Sequence, residues 1–157
     1  FGTPSDYHGI QCGIATLTVI RAYKKLLGIT PERDKALAAV REFDVAGWRD
    51  HIRERLGKSA ETVIALDTKE RKYDREKHAA RLDGIIENWD GICDVIRTLP
   101  ETDELEKFMK WIGHPTEPEE IGVSREDWRE AFYMAKDIRD KYILGKLLWD
   151  MGIVNKE

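Results

Sequence analysis

The sequence predicts an all-α fold, a single bundle-like helical domain of about seven to nine helices. Three observations predict it. Apolar residues recur at three- and four-residue spacing along nearly the whole chain. Strict apolar–polar alternation, the mark of a strand, never extends beyond about four residues. The periodic segments are separated by residues that start and stop helices, such as Thr30-Pro31, Gly57, Ser59, Gly113 and Gly152.

Taken in order, the first helix is expected from Ser5 or Asp6 as N-cap to Leu27, with Ile10, Ile14, Leu17, Val19 or Ile20 and Leu27 inward and Gly28 as a left-handed stop. Thr30 capping with Pro31 at the first position predicts a second helix over roughly 31–42. Asp44 restarts a helix that carries Trp48, Ile52 and Leu56 and stops at Gly57, and Ser59 caps the next, with Val63, Ile64 and Leu66 inward. After a charged stretch, Lys69 to Lys77, one long helix is expected to end near Leu99-Pro100. Its apolar stripe is Leu82, Ile85, Ile86, Trp89, Ile92, Val95 and Ile96. Thr102 caps a short helix through Ile112, and Pro115 to Val123 reads as a loop with one helical turn. Ser124 with Asp127 resembles a capping box ahead of a helix that carries Trp128, Phe132, Ala135 and Ile138. A last helix runs from about Tyr142 to Met151.

A length of 157 residues suits one ordinary domain with one core. The chain is 41% hydrophobic and 36% charged, with 26 Lys plus Arg against 30 Asp plus Glu. The two signs alternate along it. A nucleic-acid or anionic-membrane surface needs a concentrated basic patch, so neither partner is expected. Cys12 and Cys93 are too few for a disulfide framework or a cysteine-rich zinc site, and they fit a reducing cytoplasm. The apolar runs are too short to span a bilayer. Phe1 is no initiator, and excision from a longer protein is the expectation.

The most informative residues lie at the start: His8, Gly9, Ile10, Gln11, Cys12 and Gly13. Two glycines in little more than a helical turn cost roughly 1 kcal/mol each relative to alanine, a cost tolerated where something approaches the backbone closely. Neutral imidazole ligates zinc or iron, and N–H groups at a helix start attract anions such as phosphate. On spacing alone the plainer reading holds: His8 is a polar N-terminal residue, the glycines serve packing, and one histidine is no metal site.

The segment YHGIQCGIATL resembles the His-Gly-x-x-x-Gly-x-Gly/Ala stretch of the iron/zinc-containing polyol dehydrogenases, which include glycerol dehydrogenase and sn-glycerol-1-phosphate dehydrogenase. The segments KYDREKHAARLDGIIENWDGI, LPETDELEKFMKWIGHPTEPEEIGV and AKDIRDKYILGKLLWDMG are similar in turn to the bacterial glycerol-1-phosphate dehydrogenase branch. The resemblance covers essentially the whole chain in order. It implies that residues 1–157 are the C-terminal helical domain of such an enzyme, with the N-terminal Rossmann-like, NAD(P)H-binding domain absent from this chain. It also implies a divalent metal (zinc, iron or nickel) held by an Asp and two His, of which His8 is the last. The substrate implied is dihydroxyacetone phosphate, reduced to sn-glycerol 1-phosphate, or a related polyol, and a homo-oligomer is expected. The chain alone should then be inactive, with no tightly bound cofactor. Gly9 and Gly13 would admit substrate or the missing domain, and Gln11 would hydrogen-bond near the metal. Many members carry Glu after the His-Gly pair, where this chain has Ile10.

Elsewhere, Lys136 to Tyr142 is dense in charge. It reads as surface pairing of Lys136 with Asp140 and Asp137 with Lys141, or as a phosphate contact through Arg139 or Lys141. His51 is expected on a solvated face, His78 in a structural role beside a carboxylate, and His114 in a loop. Trp48, Trp89, Trp111, Trp128 and Trp149 are expected as core anchors. Cys12 shows no general base beside it in the sequence, so no cysteine nucleophile is read. A stand-alone helical domain that binds a partner through an apolar groove is the alternative from another functional class.

Overall fold

A computed structural model describes residues 8–138 and 140–153. Among these there are nine α-helices, two short 3-10 turns and no strand. The helices are α1 (His8–Leu26), α2 (Arg33–Arg41), α3 (Val45–Leu56), α4 (Ala60–Glu70), α5 (Arg75–Glu87), α6 (Trp89–Arg97), α7 (Thr102–Trp111), α8 (Arg125–Ile138) and α9 (Leu144–Asp150). The all-α class read from periodicity is the class observed. The packing resolves into two compact units rather than one core. The first takes the segment up to Ile29 and Asp90–Glu130, and the second takes Thr30–Trp89 and the chain from Ala131 onward.

In the first unit α1 packs against α7. Ile14, Leu17, Ile20 and Leu26 form the inner face of α1, and Cys93, Ile96 and Met109 are buried in α6 and α7. Arg21 of α1 reaches Glu106 of α7 and Glu117, the latter at 2.9 Å. Trp128 donates its indole N–H to Thr18 at 3.1 Å. Around Pro118–Ile121 a reciprocal capping box joins Glu117 and Glu120. Ser124 Oγ accepts from the Asp127 amide at 3.0 Å and donates to its carboxylate at 2.6 Å. The short Asp side chain therefore meets the Ser hydroxyl, where a longer Glu would reach back to the backbone.

In the second unit α3 and α4 close on a core of Ile52, Ala60, Val63, Ile64 and Met134, covered by Trp48 and Leu56. Asp44 caps α3 by accepting from the Gly47 amide at 3.0 Å, and Gly57 ends it at φ 51°. α2, α5 and α9 pack together, and Gly152, at φ 69°, brings the chain after α9 against Ala36 of α2.

Several boundaries and faces differ from expectation. Gly28 does not adopt a positive φ, and α1 ends at Leu26, which is buried in place of Leu27. α2 begins at Arg33 with Glu32 as N-cap, so Thr30 does not cap it. Ser59 does stand at the N-cap of α4 but makes no side-chain capping bond, and Thr102 is already helical. The long helix is two, α5 and α6, parted at Asn88 (φ −108°). Its break takes Val95 out to solvent and turns Cys93 inward. On α8 the buried residues are Met134, Lys136 and Asp137, while Ile138 is exposed. Trp111 is no core anchor: it is 81% exposed. The expected capping by Ser5 or Asp6 lies outside the described residues.

Candidate functional site

His8 opens α1 and is exposed, and Cys12, one turn on, is exposed as well. Residues four apart share a helix face, and here Cys12 Sγ lies 3.4 Å from His8 Nε2 and 3.9 Å from Nδ1. An imidazole does therefore stand beside the thiol, which the search for a base in the sequence overlooked. Between them Gly9 is open: a Cβ built there meets no heavy atom within 4 Å.

Gly13 is different. A Cβ there would sit 2.4 Å from the His114 ring, so the space it leaves is filled from within the chain and not held for a ligand. His114 is fixed by its Nδ1–H donating to the Pro115 carbonyl at 2.6 Å, which makes it more than a loop residue. Gln11 is half-buried on α1, Lys141 is exposed, and Arg139 lies outside the described residues. Among the described residues no three His, Cys, Asp or Glu side chains are grouped to hold a metal. No family model, curated protein or solved structure matches this chain.

A second concentration of chemistry fills the interior of the second unit, and sequence reasoning missed it. Lys136 and Asp137 are 1% and 2% exposed and pair with each other, Nζ to Oδ2 at 2.7 Å. The expected surface pairs with Asp140 and Lys141 are therefore not what these residues form. Asp137 also accepts from Trp48 Nε1 at 2.9 Å and from the Tyr73 hydroxyl at 2.8 Å. Lys72 donates to the carbonyls of Lys136 and Asp137, at 3.3 and 3.0 Å. That places a cation on the last-turn carbonyls of α8, where the helix leaves acceptors unmet. Asp150 receives the Arg81 guanidinium as a two-pronged fork, both contacts at 2.8 Å, and the Tyr142 hydroxyl at 2.9 Å. His78, fully buried, donates from Nε2 to the Asp150 carbonyl at 2.8 Å; its partner is backbone, not the carboxylate expected. His51 stacks on Trp48 at 5.4 Å instead of standing solvated.

Lysines lie over aromatic faces here, which offsets part of their desolvation. Lys136 Nζ is 4.0 Å from the Trp48 and Tyr133 ring centroids, and Lys146 Nζ is 4.4 Å from that of Trp149. Lys146 also donates to the Lys72 carbonyl at 3.0 Å. Burial lowers the amines of Lys136 and Lys146 to about 8. Burial raises the Tyr133 hydroxyl to about 12, and it lifts the Asp67 carboxyl above its ordinary value despite the Arg49 pair at 2.9 Å. The sequence signal that could have found Lys146 is its place in LGKLLWD, where a lone cation interrupts an apolar run.

A pH dependence follows. The folded value for Lys146, about 8, lies below its ordinary 10.5. Between these the unfolded chain holds a proton that the folded chain has released, so stability rises with pH across that window. Lys136 acts in the same direction. Urea midpoints should climb from pH 8 to 10, worth about 1–3 kcal/mol per lysine. In Lys146→Met the climb should shrink by about half. A profile unaltered by that substitution refutes the assignment.

Proposed function

We propose that this chain is the C-terminal, metal-completing helical half of an NAD(P)-dependent dehydrogenase that acts on dihydroxyacetone phosphate and sn-glycerol 1-phosphate, or on a related polyol. The observation that carries the reading is His8, exposed on the first turn of α1 beside the open backbone of Gly9. That is where an imidazole must stand to serve a site completed by residues outside this segment. The sequence resemblance, which runs through the His-Gly motif and the Lys136–Gly152 stretch, supports the same assignment.

On this reading His8 contributes one ligand, and Gly9 leaves room for substrate or a nucleotide-binding domain to approach. Exposed Lys141 provides a cation for a phosphate. A bound zinc, iron or nickel ion would polarise the substrate carbonyl as hydride arrives from the nicotinamide. The interior network of Asp137 and Asp150 holds α8 and α9 in place rather than touching substrate. Cys12 and Cys93 are free thiols, which suits a cytoplasmic protein. No helix among the described residues is long and apolar enough to cross a membrane.

The test joins activity to metal content. In the protein that carries this chain with a nucleotide-binding half, His8→Ala should abolish NAD(P)H oxidation with dihydroxyacetone phosphate. The loss should exceed the roughly 10–100-fold typical of removing a group behind a ligand, and bound metal should fall with it. Full activity in His8→Ala refutes the reading.

One observation favours a second reading, a helical interaction module or homo-oligomer seam: Phe108, Trp111 and Ile112 are all exposed at the end of α7. That reading expects Trp111→Glu to abolish self-association or partner binding while His8→Ala changes nothing.

A further inference from the structure

We propose that His8 and Cys12 form a two-ligand chelate for a thiophilic divalent cation, with Cys12 supplying a thiolate beside the imidazole. A tetrahedral zinc holds sulfur at about 2.3 Å and imidazole nitrogen at about 2.0–2.1 Å, which places those two donor atoms about 3.5 Å apart. Cys12 Sγ and His8 Nε2 are 3.4 Å apart. The helix sets this spacing through its i,i+4 geometry, so little rearrangement is needed to close the chelate. Both side chains are exposed, which leaves the remaining coordination positions open to water or to further protein ligands. Sγ is within 4 Å of both ring nitrogens, and rotation of the exposed ring about its Cβ–Cγ bond aims either nitrogen at a shared ion.

The donor set fixes the class of cation. Thiolate with imidazole selects zinc, nickel or cobalt, and ferrous iron less strongly. Magnesium and calcium, which take oxygen ligands, are disfavoured. Binding displaces the thiol proton, so affinity rises with pH. The competing arrangement is a simple thiol–imidazole hydrogen bond with no role in metal binding. The chelate shares His8 with the dehydrogenase reading, but it rests on the His8–Cys12 geometry and does not require that reading.

Cobalt(II) titrated into the full chain tests it. The expected result is a thiolate-to-cobalt charge-transfer band in the near ultraviolet that saturates with added metal. The band should disappear in Cys12→Ser, and in His8→Ala the affinity should fall by about tenfold or more. Zinc should slow alkylation of Cys12 in the native chain and, at the same concentration, slow it far less in His8→Ala. Cobalt binding that lacks the band, a band that survives Cys12→Ser, or no binding up to millimolar cobalt overturns the proposal. The first of these outcomes leaves His8 as a ligand and the dehydrogenase reading intact. A chelate confirmed in a longer protein that lacks dehydrogenase activity sinks that reading and leaves the chelate standing.

Discussion

Asp137→Asn is expected to destabilise the second unit by about 3–5 kcal/mol, the range for removing one partner of a buried ion pair. The carboxylate is 2% exposed and serves three donors: Lys136 Nζ, Trp48 Nε1 and the Tyr73 hydroxyl. Asparagine keeps one acceptor oxygen and puts N–H groups where the carboxylate had its second. A donor is then left without an acceptor, and the Lys136 ammonium loses its counter-charge. Lys136 can escape part of this cost by shedding its proton, since burial already lowers its amine to about 8. That escape places the loss toward the lower end of the range at pH 8 and the upper end at pH 6. Urea unfolding monitored by the tryptophans gives the number, and an unchanged m-value would show that stability changed without a change in the surface exposed on unfolding. The double variant Asp137→Leu with Lys136→Met removes the unpaired charge but leaves the Trp48 and Tyr73 donors without their acceptor, so it should recover only part of the loss. A loss below about 1 kcal/mol in the single variant would show that water reaches the pair.

The second large effect is expected at Gly152, where Gly152→Ala should cost about 2–4 kcal/mol through backbone strain and overpacking together. Gly152 takes φ 69°, and a Cβ there would lie 2.7 Å from the Ala36 Cα and 3.2 Å from the Ala39 Cβ. The first of these atoms is backbone of α2, with Ala36 fully buried, so no side-chain rotation relieves the contact. Gly122→Ala is the control. Gly122 has a similar positive φ, 75°, in the left-handed region, but its Cβ would meet nothing within 4 Å. It should show the conformational cost alone, and the difference between the two variants measures the clash. Equal losses at both positions would refute the clash and leave only the strain.

Some local signals in the sequence were read correctly, while those at Gly28, Thr30 and Thr102 were not. Asp44 caps α3 and Gly57 ends it because the capping oxygen and the positive φ are properties of a few adjacent residues. The inward face of α1 follows from its spacing for the same reason. The larger errors arise where distant residues decide. Periodicity counts Lys136 and Asp137 as solvent-facing. They are buried because Trp48, Tyr73 and Lys72 approach from other elements and satisfy them, while Tyr133 of α8 itself lies against the Lys136 ammonium; the approach of the distant residues is not announced in the α8 sequence. Asn88 interrupts a stripe whose apolar spacing continues through the break, so hydrophobicity alone joins α5 to α6. At the candidate site, the shared face of His8 and Cys12 was implicit in their spacing. The seating of His114 on Gly13 joins residues about a hundred positions apart and could not be read from either neighbourhood.

Both units are assembled from separated stretches of chain, and that bears on how the protein forms during synthesis. The first unit's α1 emerges from the ribosome well before α7, its packing partner. The second unit waits longer still, since Leu144, Leu147, Trp149 and Asp150, all buried, come near the end of the described chain. Until Asp150 appears, Arg81 has no fork to grip and His78 no carbonyl to meet. Domains that form as contiguous blocks can fold in turn as they are made. Here the parts of α2 and α5 that α9 covers must instead stay open until α9 has been made. The α9 segment acts as a latch, so a stop codon before Trp149 would release an unfinished second unit.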